Sequence, residues 1–231
     1  MKAVLYEKYG APEDVLELLD VEKPVPRDNE VLVKVYASSV NVEDLDYLTG
    51  RSWAVRMLGP LKPKYQTLGF DVSGQVEDVG KDVKEFKRGD EVMGDLFNHG
   101  FGAFAEYVCA PEKALVLKPA SMTFEEAATV PSRAILALQG LRGKRPLQSE
   151  QKVLINGAGG GVGPFAVQIA KYFGAEVTAV DSPTKLEMLF FIMPVSAPAD
   201  SLRRTNGNLE ALLLDSSFRR NRREPLAYKG T

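Results

Sequence analysis

With 231 residues, 45% hydrophobic and 26% charged, the chain has enough apolar material for one large domain or two small ones. A net charge of −2 gives no reason to expect a specific nucleic-acid partner or an anionic membrane, and no run is apolar enough to span a bilayer. A single cysteine, Cys109, excludes an intramolecular disulfide and suits a reducing compartment, so a cytoplasmic location is expected.

Residues 1–118 read as mostly strand. Ala3 and Leu5 alternate with Val4 and Tyr6, and Asp14 to Val21 reads as a second extended run. Pro24, Pro26, Asp28 and Asn29 predict a turn before Glu30 to Ala37, a valine-rich stretch of period two. Asp71 to Gly80, Asp90 to Gly94, Ala103 to Ala110 and Ala114 to Leu117 follow, punctuated by glycine and proline, as in an antiparallel barrel. Val42 to Gly50 lacks the alternation and is either a short helix or a loop.

The pattern changes near Pro119. Thr123 and Glu126 have the spacing of a capping box, and helices are predicted through Val130 and from Pro131 to Gly143. Val153 to Ile155 is a short β-branched run of the kind found in a buried parallel strand. The turn Gly157-Ala158-Gly159-Gly160-Gly161-Val162-Gly163 follows it. Val162, Phe165, Ala166, Ile169, Ala170 and Phe173 then recur at helical spacing, with Gly174 where a C-cap belongs. A second strand from Glu176 to Val180 ends in Asp181. Strand, glycine turn, helix, strand and acid together predict the first half of a dinucleotide-binding fold. Backbone without Cβ atoms lets a pyrophosphate reach the N–H groups and positive dipole end of the helix. The alternative is a glycine-rich turn with no ligand.

Asp181 suits a ribose diol, whereas Ser182 and Lys185 suit a 2′-phosphate, so local chemistry leaves NAD and NADP both open. Ser182 and Pro183 also read as N-cap and first residue of one more helix, with Leu186 and Leu189 on one face. One histidine and one cysteine are too few for the usual zinc ligand set. His99, beside Gly100, reads as a turn residue, and Cys109 as a small buried hydrophobe.

The order of these parts resembles the medium-chain dehydrogenase/reductase superfamily, and within it the zinc-free quinone oxidoreductase-like branch. The segments that carry the resemblance are Asn41-Val42-Glu43-Asp44, Leu68 to Gly74 (LGFDVSG), Phe86 to Val92 (FKRGDEV), Gly102 to Val108 (GAFAEYV), Glu125 to Ala128 and the glycine turn with its helix. It runs from Met1 to about Leu189. It implies a mixed α/β chain: a GroES-like β-barrel over residues 1–118 and an incomplete Rossmann domain over 119–190. A non-family, partly disordered tail over 191–231 follows. The tail is rich in arginine, which reads as a solvated segment or a weak nucleic-acid or nuclear-import patch.

The resemblance further implies hydride transfer from NADPH, favoured over NADH, to a small quinone or enone. Asn41 and Asp44 come forward as catalytic candidates. The Asn41 amide would donate to a substrate or nicotinamide carbonyl, unless it only caps a helix or an Asx turn. Asp44 would orient the loop. Cofactor contacts are expected at Gly159, Gly160, Gly161, Val162, Asp181, Ser182 and Lys185. Zinc-dependent members carry Cys at the place of Asn41 and His at the place of Phe70, so no bound zinc is expected. Leu136 stands where relatives carry a Thr near the nicotinamide, and its simplest reading is core. Tyr47 lies one residue out of register with a pocket aromatic. Because the second Rossmann half is not recognisable after Leu189, a weak enzyme or an inert binding module is the alternative. A homodimer would be weakened for the same reason. Leu189 to Met193 or Leu209 to Leu214 are the runs that could cover the bared edge of the strand at 152–156.

Overall fold

A computed structural model describes residues 1–143, 145–182 and 184–185, and the backbone of 202–205 and 209–214. The chain divides into two compact units, residues 1–132 and residues 133 onward.

In the first unit β1 (Lys2–Leu5) pairs antiparallel with β2 (Glu17–Asp20), and between them lies α1 (Pro12–Val15). The extended run expected from Asp14 therefore starts only at Glu17. Pro12 supplies a preset helical φ, and Glu13 and Asp14 favour the positive end of a helical turn.

The main sheet comes from β3 (Glu30–Ser38), β4 (Asp71–Val79), β5 (Glu91–Asp95), β6 (Tyr107–Pro111) and β7 (Leu115–Leu117). Its order is β6-β3-β4-β5-β7, and every neighbouring pair is antiparallel. A register shift between Leu32 and Val33 explains why Val31, Leu32 and Val33 are all buried despite the alternating sequence. Ala103 and Phe104 stay outside the ladder. Their N–H groups donate to the carbonyls of Gly69 (2.9 Å) and Leu68 (3.0 Å), so β6 starts only at Tyr107. Val31, Val33, Val72, Val76 and Val92 are almost fully buried beside Phe70, Leu96 and Phe101. At about 1.5–3 kcal/mol for each large apolar side chain, this core supplies most of the first unit's stability.

Val42 to Gly50 is helical: α2 (Val42–Thr49) ends on Gly50, whose φ of 60° is the left-handed stop that glycine adopts without strain. The short α3 (Trp53–Leu58) follows. In α4 (Phe124–Ala128) the capping box forms as the spacing predicts. Thr123 Oγ1 accepts from the Glu126 N–H (3.1 Å), and the Glu126 carboxylate accepts from the Thr123 N–H (2.9 Å). Phe124 stacks on Tyr36 of β3 at 4.5 Å. This contact keeps α4 with the first unit, so the units divide at Ser132 and not at the composition change near Pro119.

The second unit takes up α5 (Pro131–Arg142) from Arg133 on, then β8 (Lys152–Asn156), α6 (Gly163–Tyr172) and β9 (Glu176–Asp181). β8 and β9 are parallel, from Lys152 beside Glu176 to Asn156 beside Val180. Val167 and Ala170 of α6 are buried, in one core with Val177 and Ala179 of β9 and with the partly buried Val153 and Ile155. Alanine dominates this core, and a methyl contributes far less than the Phe and Leu side chains of the first unit, about 0.8 kcal/mol each. α6 ends in a Schellman motif. Ala175 N–H donates to Ala170 O (3.1 Å), Gly174 N–H donates to Lys171 O (2.9 Å), and Gly174 has a φ of 78°.

β10 (Leu202–Thr205) and β11 (Leu209–Leu214) extend this sheet in the order β10-β11-β9-β8. Leu209 to Leu214 therefore does not cover the edge of β8. It pairs antiparallel with β9, from Glu210 beside Asp181 to Leu214 beside Val177. A chain leaving β9 can return alongside the strand it has just left, whereas the outer edge of β8 requires a crossover of the sheet. Among the described residues β8 has no strand on its other side, and Leu154 is 68% exposed. Thr184 and Lys185 are helical, and Lys185 N–H donates to Ser182 O (3.0 Å). The rest of the helix predicted there, including Pro183, Leu186 and Leu189, lies outside the described residues, as do Leu189 to Met193 and most of the tail. No described helix is long and apolar enough to cross a membrane.

Candidate functional site

The sequence candidates fall into two groups, one in each unit. In the first unit, the end of β3, the start of β4 and the start of α2 meet at Asp71. Its side chain is fully buried, yet its carboxylate accepts four hydrogen bonds. They come from Ser39 Oγ (2.9 Å), Asn41 Nδ2 (3.1 Å), Ser132 N (2.9 Å) and Ser132 Oγ (2.6 Å). Ser38 Oγ donates to its backbone carbonyl (2.7 Å).

A carboxylate only accepts, so Asn41 must turn its amide nitrogen toward Asp71. The other amide hydrogen faces Ser39 Oγ at 3.0 Å. Both hydrogens are thus committed within the protein. The donation to a bound carbonyl expected from the sequence would first require one of these bonds to break. The Asn41 side chain also accepts from the Asp44 N–H, which closes a capping box at the start of α2.

Asp44 is 3% exposed and binds two backbone N–H groups, Asn41 N at Oδ2 (2.9 Å) and Gly69 N at Oδ1 (3.0 Å). Burial pushes its carboxyl up to about 6, against the pull of the Asn41 and Gly69 N–H groups and with help from the charges of Asp71 and Glu43. Such a value suits proton transfer at neutral pH. The geometry, however, is that of a staple from the first turn of α2 to Gly69. Gly69 has a φ of 85°, and a Cβ there would stand 2.5 Å from Phe104 Cδ1.

Phe70 packs at 5.3 Å from Phe97 and 5.8 Å from Phe101, and Tyr47 lies 4.7 Å from Phe101. The position that carries a zinc-binding His in other members is therefore part of an aromatic core. Among the described residues no three His, Cys, Asp or Glu side chains come together as a metal site. His99 closes the short 3₁₀ turn Phe97–His99, and the half-buried Cys109 thiol is pushed by burial to about 11.

In the second unit the turn from Gly157 to Val162 connects β8 to α6. Asp181 lies at the end of β9 and is 8% exposed. Its carboxylate points inward, accepting from Gly159 N (2.8 Å) and Ser182 N (2.7 Å). Burial pushes this carboxyl up, but the Ser182 and Gly159 N–H groups and nearby Lys185 outweigh burial and leave it below the usual range. Asp181 thus anchors the glycine turn to the second strand. Ser182 Oγ lies 3.4 Å from Thr184 Oγ1, and Lys185 is exposed.

The glycines divide by role. A Cβ on Gly163 would run into the Ala158 backbone, and one on Gly159 would stand 2.7 Å from Lys185 Cβ, so these two serve internal packing. A Cβ on Gly160 would meet only Gly157 O at 3.2 Å, and Gly161 is exposed. No side chain caps the first turn of α6. The exposed Gly161, the helix start whose N-cap Val162 offers no side-chain cap, the half-buried Ser182 and the exposed Lys185 fit a dinucleotide. Leu136 is 46% exposed, so it is not the core residue that its simplest reading made it. Ser39, Ser132 and the hub role of Asp71 were missed from sequence. Only Asp71 carries a signal, an acid opening the strand just after the apolar run Leu68 to Phe70.

The Alcohol dehydrogenase GroES-like domain family matches residues 27–120. The 2-methylene-furan-3-one reductase of Solanum lycopersicum is 39% identical over 198 residues, covering 82% of this chain and 49% of that protein. The structure of the quinone oxidoreductase from Coxiella burnetii has a TM-score of 0.72 and 34% identity, over 83% of this chain and 60% of that one. Escherichia coli quinone oxidoreductase complexed with NADPH has a TM-score of 0.71 and 27% identity, over 83% of this chain and 56% of that one. The chain spans about half the length of the curated relative, 49%. Barrel strands, glycine turn and these likenesses agree, and the chain belongs to the medium-chain dehydrogenase/reductase superfamily, in its quinone oxidoreductase-like branch.

Proposed function

We propose that this chain binds NADP(H) on its glycine turn and serves a zinc-independent reduction of a quinone or enone. The observation that carries the reading is the exposed Gly161 ahead of the first turn of α6, whose N-cap Val162 offers no side-chain cap. Gly161 and Val162 would approach the pyrophosphate, while Gly159 and Asp181 hold the turn in shape. Ser182 and Lys185 would receive the 2′-phosphate. Asp181, held by the Gly159 and Ser182 N–H groups, keeps its charge, so the preference for NADP over NAD rests on Ser182 and Lys185. When bound, the coenzyme supplies hydride from C4 of its nicotinamide to the conjugated acceptor.

Asn41 is proposed as a substrate or nicotinamide contact that donates from its amide in exchange for one of its internal bonds, and Asp44 as the anchor of the loop that carries it. Neither Asn41 nor Phe70 can ligate zinc, so the chemistry proposed is that of placement. Titration with NADPH followed by nicotinamide fluorescence tests the binding step, and NADPH-dependent reduction of a simple quinone tests the reaction.

A second reading, a nucleotide-binding module with slow turnover, is favoured by one observation. β11 runs antiparallel beside β9, and β8 carries no strand on its other side among the described residues. A Rossmann sheet holds the nicotinamide end of the coenzyme beyond that side. Turnover far below the usual enzymatic range of roughly 1–1000 per second, with coenzyme binding retained, would support this reading.

A further inference from the structure

The geometry points to Arg133 as a ligand for the diphosphate of the bound nucleotide, a role that rests on the glycine turn being a nucleotide site. Arg133 lies in the first turn of α5, and its side chain lies against Gly161 of the glycine turn. A Cβ built on Gly161 would stand 3.4 Å from Arg133 Nε, 3.5 Å from Cδ and 4.0 Å from Cζ. The guanidinium is therefore in van der Waals reach of the exposed glycine over which a diphosphate would sit.

The charges around the turn agree with this. Lys185 lies against Gly159 through its Cβ and backbone, and the Arg133 side chain lies against Gly161. The acid that faces the turn, Asp181, is held by the N–H groups of Gly159 and Ser182. An anion on the turn thus meets two cations, the dipole of α6 and a carboxylate already engaged. Guanidinium geometry suits the paired oxygens of a diphosphate, whereas Lys185 and Ser182 lie at the end of β9, where the adenosine ribose would be. Arg133 answers to the diphosphate, Lys185 and Ser182 to the 2′-phosphate.

The test compares ADP, which carries the diphosphate, with adenosine 2′-monophosphate, which lacks it. Both are titrated calorimetrically against the full-length chain, Arg133→Gln and Arg133→Lys, with the fold of each variant checked by circular dichroism. Arg133→Gln should weaken ADP and NADPH about tenfold or more and change adenosine 2′-monophosphate by less than about twofold. Arg133→Lys, which keeps the charge and serves if the glutamine variant fails to fold, should lose part of the ADP affinity. The salt dependence of ADP binding should flatten in Arg133→Gln. Unchanged ADP affinity in both variants, or equal losses for the two ligands, would overturn the role of Arg133 while leaving the nucleotide site standing. No binding of either ligand to the unaltered chain would overturn the site and this role together.

Discussion

Substituting two glycines of the same turn should separate ligand binding from folding. Gly161→Val places its Cβ 3.4 Å from Arg133 Nε, the mobile part of a flexible side chain. Gly161 is outside the left-handed φ region, so a branched residue carries no backbone strain there. The added methyls fill the space that a phosphate needs to reach the N–H groups of the turn. Two charge-assisted hydrogen bonds at about 1.5–3 kcal/mol each would be lost, roughly 3–6 kcal/mol. That is about a 10²- to 10⁴-fold rise in Kd for NADPH, with little change in melting temperature. Gly163→Ala behaves differently, because its Cβ would overlap the Ala158 backbone, which cannot move without opening the turn. Overpacking of this kind costs about 1–3 kcal/mol, and the alanine-rich core of the second unit has little to offset it. Circular dichroism melts and NADPH titrations on both variants read the two effects. The reasoning is refuted if Gly161→Val binds as tightly as the unaltered chain, or if it destabilises as much as Gly163→Ala.

Further outcomes follow from the first unit and from the end of β9. Asp71→Ala strands four donors, among them those of Asn41 at 7% and Ser132 at 6% exposure. The expected loss is about 3–5 kcal/mol, a drop in melting temperature of roughly 10 °C or more, and a drop of only a few degrees would contradict the hub role. Asp44 has a folded pKa of about 6 against an ordinary 3.8, so its stabilising contribution is complete below 3.8 and is lost as pH rises through about 6. The stability difference between the unaltered chain and Asp44→Asn should therefore shift against the unaltered chain between about pH 4 and pH 7, by up to ~3 kcal/mol. A pH-independent difference in urea titrations would remove the raised pKa. Lys185→Ala should weaken NADPH several-fold more than NADH, and equal weakening would take Lys185 out of coenzyme selection.

What could be read from the sequence was local. Thr123 and Glu126 lie three residues apart and cap α4 as their spacing predicts. Gly174 ends α6, and the strand–turn–helix–strand order around Gly159 to Gly163 is present as read. The rest depended on distant partners. Asp71 binds Ser39, Asn41 and Ser132, up to 61 positions away, and nothing in a linear pattern announces that meeting. Asp181 reads as a ribose contact, and no linear pattern shows that Gly159 N–H, 22 positions earlier, donates to one of its oxygens. Asn41 was expected to donate outward, yet a buried carboxylate 30 positions away dictates which way its amide turns. The edge chosen by Leu209 to Leu214 was also open, because an apolar β-prone run fits either side of a sheet and only connectivity decides.

The central claim, a functional coenzyme site built on the glycine turn, is tested most directly by calorimetric titration of NADPH into the full-length chain. Saturable binding is predicted at one molecule per chain, weaker than a complete site would give, with a Kd of about 10–100 μM, near −7 to −5.5 kcal/mol. No saturable heat up to roughly 1 mM NADPH, a limit near −4 kcal/mol, would contradict the claim.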